Sequence, residues 1–272
     1  MFLFLKRFFA IAVAAFAAGA LMSLPVSAQQ YGDKEYQPSV GQEGKDVIWV
    51  PTPNELIAKM LDMAKLTPQD IHFDLGSGDG RTVIAAAKRG ANATGVEFNP
   101  DMVALSNRSA QREGVASKVK FINADIFKTD FSNATVITLY LLPSLNLKLR
   151  PIILGMKPGT RVVSHAFTMG EWEADETANV EGRTAYFWVV PAKVEGNWRI
   201  EGGGAGDLSL KQEFQKVSGS AGGKAITSAS LRGDVISFSV DGREYSGRVS
   251  GDRMEGTVKG ASAGKWSATR AR

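Results

Sequence analysis

The stretch Asp74-Leu75-Gly76-Ser77-Gly78-Asp79-Gly80 decides how the rest of the chain is read. Ile71 to Leu75 is short and apolar, which suits a buried strand, and Arg81 to Arg89 has helical spacing and stops at Gly90. A strand, a glycine bend and a helix begin a parallel strand–helix–strand unit. The alternating glycines let the backbone turn sharply and approach a ligand with no side chain between them. Their spacing excludes two phosphate-binding readings. A dinucleotide fold wants Gly-x-Gly-x-x-Gly, and here the third glycine comes one residue early. A phosphate loop ends in Gly-Lys-Ser or Gly-Lys-Thr, and neither follows. Asp74 would repel a phosphate but would pair with an amino group such as that of a methionine moiety.

Two further acids close the next two strands. Glu97 ends the strand Ala93 to Glu97, 17 residues after Gly80, where a carboxylate can accept both hydroxyls of a ribose. Asp125 follows the strand Val119 to Ile122 and is placed to receive an adenine amine, with Ile126 and Phe127 flanking the ring. Three acids at the ends of successive strands, with the glycine bend at the first, form a pocket for a cationic nucleoside.

The same alternation continues on both sides. Thr52 reads as a cap, Pro53 as a first helical residue and Glu55 as the partner in a capping box. Leu56, Ile57, Met60, Leu61 and Ala64 then give that helix one apolar face. Asn99-Pro100 caps a helix running to Gly114, and strands follow at 134–141, 161–167 and 184–190. The expected fold is α/β, a mostly parallel Rossmann-like sheet with helices on both faces, spanning 47–196. Past Asn197 short alternating runs take over, beginning with 208–217 and separated by turns such as Asp241-Gly242-Arg243. They predict a small antiparallel all-β domain over 205–272, with Gly202-Gly203-Gly204 as a hinge before it. No catalytic constellation stands out there, so it is read as a stabilising or partner-binding module.

Composition narrows the function classes. The chain has 272 residues, no cysteine and two histidines, which excludes disulfides and thiolate chemistry and argues against a histidine metal site. Lys6 and Arg7 precede an uncharged apolar run from Phe8 to Leu24, and Val26 and Ala28 suit a cleavage after Ala28. Residues 1–28 are therefore expected to be a signal peptide and the protein to be exported, periplasmic or secreted. An uncleaved inner-membrane anchor is the alternative, since the run nearly reaches the ~20 residues of a membrane helix. Without Lys6 and Arg7 the balance is 30 basic against 28 acidic residues, or +2, with no basic stripe, so no nucleic-acid partner is expected. Residues 29–46 are polar and read as a linker.

Asp74 to Gly80, Glu97 and Asp125 resemble the first three motifs of class I S-adenosylmethionine-dependent methyltransferases. Val50-Pro51-Thr52-Pro53, Gly76 to Arg81 with Ile84-Ala85-Ala86-Ala87, and Gly95 to Pro100 are similar to the small membrane-associated protein-lysine methyltransferases of mitochondria. The resemblance implies methyl transfer to a lysine amine, membrane proximity, and cofactor binding by Pro51 and Thr52 together with Gly76, Ser77, Gly78, Gly80, Asn99 and Ile126. The export signal and the β domain depart from that family. Tyr140-Leu141-Leu142-Pro143 also stands where methyltransferases of nucleobase or glutamine amino groups carry Asn/Asp-Pro-Pro-Tyr. Tyr140 and His165, at the ends of their strands, are the candidates to act on the acceptor, and His72 is read as packing or surface. A small-molecule or lipid methyltransferase, and an exported non-enzymatic binding protein on the same fold, are the alternatives.

Overall fold

The computed structural model describes residues 31–261 and 263–271. The signal-peptide expectation over 1–28 lies outside them. Among the described residues no helix is long and apolar enough to cross a membrane.

The first sheet grows from β1 (Ile71–Leu75), whose four buried residues make it a central strand. It lies parallel to β2 (Asn92–Glu97) on one side and to β4 (Val136–Leu139) on the other. With β3 (Val119–Asn123), β5 (Arg161–His165), β6 (Glu176–Val180) and β7 (Arg183–Val189) the order is β3-β2-β1-β4-β5-β7-β6. β7 runs antiparallel to both β5 and β6. Strand order reverses between β1 and β4, and open α/β sheets bind ligands beyond the carboxyl ends at that switch.

Helix α1 (Asn54–Met63) packs Leu56 and Met60 against Val136, Val163 and Phe187, and Ile57 and Leu61 against α2 (Arg81–Lys88). α3 (Pro100–Arg112) covers β2 and β3; its expected cap is formed, with Asn99 Oδ1 accepting from the N–H groups of Asp101 and Met102. On the opposite face α4 (Pro143–Leu154) buries Leu145, Leu149 and Ile153. Periodicity reading missed α4 because of its two prolines. Pro143 occupies the tolerated first turn, while Pro151 sits near the end of the helix.

The second sheet has nine antiparallel strands, β8 (Gly196–Gly202), β9 (Leu208–Glu213), β10 (Lys216–Ala221), β11 (Lys224–Ala225), β12 (Thr227–Arg232), β13 (Val235–Val240), β14 (Arg243–Ser250), β15 (Arg253–Lys259) and β16 (Gly264–Arg270), in the order β11-β10-β9-β8-β16-β15-β14-β13-β12. Its inner strands alternate buried and exposed residues, as in β14 (Arg243–Ser250) and β15 (Arg253–Lys259). Trp198, Phe238, Tyr245 and Trp266 fill the interior. β10 also lies against β12 in space, so the sheet curls toward a barrel.

Four expectations are corrected. The β domain does not begin at 205: β8 (Gly196–Gly202) pairs with β9 (Leu208–Glu213) and with β16 (Gly264–Arg270), and Ala192 and Val194 already belong to its core. The triple glycine is accordingly a corner and no hinge. Tyr245 OH donates to Gly203 O at 2.6 Å, and a Cβ on Gly203 would lie 2.8 Å from the tyrosine ring. The run 208–217 is two strands broken at Phe214, whose φ is 53° and whose ring stacks on Trp172 of the first domain at 6.3 Å. Residues 31–46 are likewise no free linker. Asp33 takes a two-pronged ion pair from Arg108 of α3, at 2.6 and 3.1 Å, and Glu43 and Ile48 form a bridge that folds the segment back on itself.

Candidate active site

A cavity of about 770 Å3 lies at the carboxyl ends of β1, β2 and β4. The glycine bend forms its floor. The N–H groups of Gly76 and Ser77 both donate to Val96 O, at 2.9 and 3.1 Å, which pins the bend to β2. Gly76, Gly78 and Gly80 all have positive φ, at 83, 53 and 78°. They serve different neighbours. A Cβ on Gly76 would meet Leu141 at 2.9 Å and one on Gly78 would meet Trp49 Nε1 at 2.6 Å. A Cβ on Gly80 would instead strike Ser106 and Phe121, so Gly80, expected to bind cofactor, is a packing glycine and does not line the cavity.

The carboxylates converge as expected. Glu97 is held rigid: Oε2 accepts the Gly78 N–H and Oε1 the Asn99 N–H, both at 2.9 Å, with lone pairs remaining for two hydroxyls. Asn99 lines the cavity, but its own Oδ1 is committed to capping α3. Asp74 is buried, and Thr138 Oγ1 donates to its Oδ1 at 2.7 Å. Burial, with the Glu97 and Asp79 charges nearby, pushes its carboxyl up to about 7. Asp125 and Ile126 line the cavity as well. Asp125 receives Lys45 Nζ at 2.6 Å, and that pair holds its carboxyl below the usual range.

The polar lead-in gives the cavity its roof, which sequence reading missed. Lys45 also lies 4.9 Å from the centroid of the exposed Phe98 ring, and Trp49 stands on Gly78. Pro51 and Thr52 line the cavity as expected. Thr52 does not cap α1, however. Pro53 takes the cap position without any side-chain bond, and Thr52 Oγ1 is 3.1 Å from His165 Nδ1. Arg81 ties roof to floor, pairing with Asp79 at 2.6 Å and reaching Thr52 O at 3.4 Å. Trp49 could have been noticed as an aromatic in a polar run; Lys45 carried no signal.

At the other end of the cavity Tyr140 and Phe167 face in. His165 lies behind Tyr140, ring centroids 3.8 Å apart, and does not itself line the cavity. Burial and the Arg183 charge push its imidazole down to about 4, so it stands neutral.

Three carboxylates, Asp74, Glu97 and Asp125, thus meet in one cavity with a glycine bend where a Cβ would intrude. That combination defines a class I S-adenosylmethionine-dependent methyltransferase. Residues 74–176 match the ANTKMT methyltransferase domain. A protein-lysine N-methyltransferase of Saccharolobus islandicus is 38% identical over 151 residues, 53% of this chain and 94% of that protein. The adenine nucleotide translocase lysine N-methyltransferase of Mus musculus is 36% identical over 102 residues, 37% of this chain; the chain spans only 44% of that relative's length. A solved RNA methyltransferase from Salinibacter ruber, in complex with S-adenosyl-L-homocysteine, is 48% identical with a TM-score of 0.52, covering 53% of this chain and 96% of that one. The chain belongs to this methyltransferase family.

A pH dependence follows from Asp74. Its folded value of about 7 lies above the unfolded 3.8, so its contribution to stability is full below about 4 and is lost as pH rises through about 7. Asp74→Asn removes the buried charge. It should raise the melting temperature of the cofactor-free protein above about pH 7 while abolishing the stabilisation that S-adenosylmethionine confers. Differential scanning calorimetry with and without cofactor checks both. A variant less stable at high pH would contradict the reading.

Proposed function

We propose that the chain methylates the ε-amine of a lysine in a protein. The observation that carries this is the match to the Saccharolobus islandicus protein-lysine N-methyltransferase over nearly all of that relative's length. The cofactor supplies an electrophilic methyl group on a sulfonium. The chain's residues have to orient an amine toward it and keep that amine unprotonated. Tyr140 and Phe167 offer an aromatic wall, the imidazole behind them is neutral, and the Arg183 charge acts on both Tyr140 and His165. Such surroundings disfavour an ammonium. Tyr140 is then the residue that positions the amine, and His165, with Thr52, holds Tyr140 in place. Tyr140→Ala should lower kcat about 100-fold by misplacing the acceptor, with the Kd for S-adenosylmethionine changed less than about threefold.

The Salinibacter relative favours a second reading, RNA as acceptor. Against it stand the missing basic stripe and the Tyr140-Leu141-Leu142-Pro143 sequence. Labelled S-adenosylmethionine supplied with cell protein and with total RNA separates the two. Protease-sensitive label that hydrolyses to methyl-lysine is expected; nuclease-sensitive label would overturn the proposal. Export and membrane proximity belong to the same proposal, and mass spectrometry of the mature N-terminus tests the cleavage after Ala28.

A further inference from the structure

His72 is a fully buried titratable group that the proposed reaction does not use, and it has a defined place beneath the cofactor floor. It lies two residues before Asp74 on β1, so the two side chains share one sheet face. Thr138 of β4 is the register partner of Asp74 and is itself fully buried. Thr138 Oγ1 is 2.7 Å from Asp74 Oδ1 and 2.9 Å from His72 Nε2, which makes a three-residue chain ending at the cavity.

The proton count along this chain gives it a direction. A hydroxyl has one proton. If Asp74 is a carboxylate, Thr138 must donate to it, and the contact with His72 must then be an Nε2–H donating to Thr138. The imidazole Nδ1 is left a bare lone pair, and it has no partner. The reverse order has a protonated Asp74 donating to Thr138 and Thr138 donating to Nε2. That order would put a proton on Nδ1, creating a buried N–H with nothing to receive it, the costlier kind of orphan. A doubly protonated ring is disfavoured as well: burial pushes His72 down to about 3, against a weaker upward pull from Asp70. The neighbours of this face are apolar, with Val136 and Ala93 in register beside His72 and α1 and α2 packed over them. The charges acting here are Asp70, which is paired to Arg161, on the His72 side, and Glu97 and Asp79 on the Asp74 side.

We propose that His72 is a positioning residue for cofactor binding, donating through Nε2 so that the Thr138 hydroxyl points at Asp74 and selects its ionised, ammonium-accepting form. The proposal rests on the reading of Asp74 as the carboxylate that meets the methionine end of S-adenosylmethionine. His72 touches no ligand; it acts through Thr138.

Calorimetric titration with S-adenosylmethionine between about pH 6 and about pH 9 tests it. In the native protein, affinity should rise as Asp74 ionises through about 7. In His72→Leu and in Thr138→Val that midpoint should move up by about one unit, so that binding is about tenfold weaker near neutral pH and recovers at high pH. His72→Gln, whose amide N–H can reach Thr138, should restore the native midpoint. A native midpoint in His72→Leu, or a weakening equal at every pH, would overturn the proposal. If His72→Leu does not fold, a native midpoint in Thr138→Val overturns it equally. Undiminished binding by Asp74→Asn would sink the site assignment instead, a separate and distinguishable failure.

Discussion

Glu97→Ala is expected to weaken S-adenosylmethionine binding about 100-fold, close to 2.7 kcal/mol. The size follows from what the carboxylate does. It holds the Gly78 and Asn99 N–H groups, so its loss releases the glycine bend and the start of α3 as well as the two acceptors proposed for the ribose. Hydrogen bonds to a charged group contribute about 1.5–3 kcal/mol each, and the backbone donors left behind recover part of the loss by finding water. Glu97→Gln keeps one acceptor oxygen and should fall between, with a loss of about tenfold. Isothermal titration of the purified protein measures both. A change below about threefold in Glu97→Ala would mean that the ribose sits elsewhere.

Trp198→Ala should destabilise the protein by about 4 kcal/mol, the middle of the range for removal of a buried aromatic. Trp198 is completely buried in the second domain, its Nε1–H donates to Val194 O at 2.8 Å, and the Arg270 guanidinium lies 4.2 Å from its ring. Removing it leaves a large cavity and an unpartnered carbonyl in one step. Urea unfolding reads the effect as a shift in midpoint at unchanged slope. The test also bears on the domain boundary. If 196–202 were only a tether ahead of an independent module, the substitution would cost less than about 1 kcal/mol, as surface changes usually do.

How much of this was legible in the sequence depended on whether the determining interaction was local. The glycine bend, the strand-end acids and the Asn99 cap are signals contained within a few residues, and the structure brings Asp74, Glu97 and Asp125 to one cavity as expected. The roof was not legible. Lys45 and Asp125 are 80 residues apart, and a polar run rich in glycine looks the same whether it dangles or folds over a site. Thr52 shows the converse error: its position before Pro53 matches a cap, yet its hydroxyl meets His165, 113 residues away. His72 reads as packing or surface because its immediate neighbours Ile71 and Phe73 are apolar, and its real partner lies on the neighbouring strand. The boundary near 196 was hidden by glycines that read as flexible and prove to be a corner clamped by Tyr245.

The most direct test is a crystal structure of the protein grown with S-adenosylhomocysteine. The account predicts ribose hydroxyls on Glu97, the amino group within reach of Asp74, the adenine between Phe98 and Ile126, and Trp49 still resting on Gly78. Density for the nucleoside anywhere outside this cavity, or a cavity closed by the Trp49 and Lys45 side chains with ligand in excess, would contradict it.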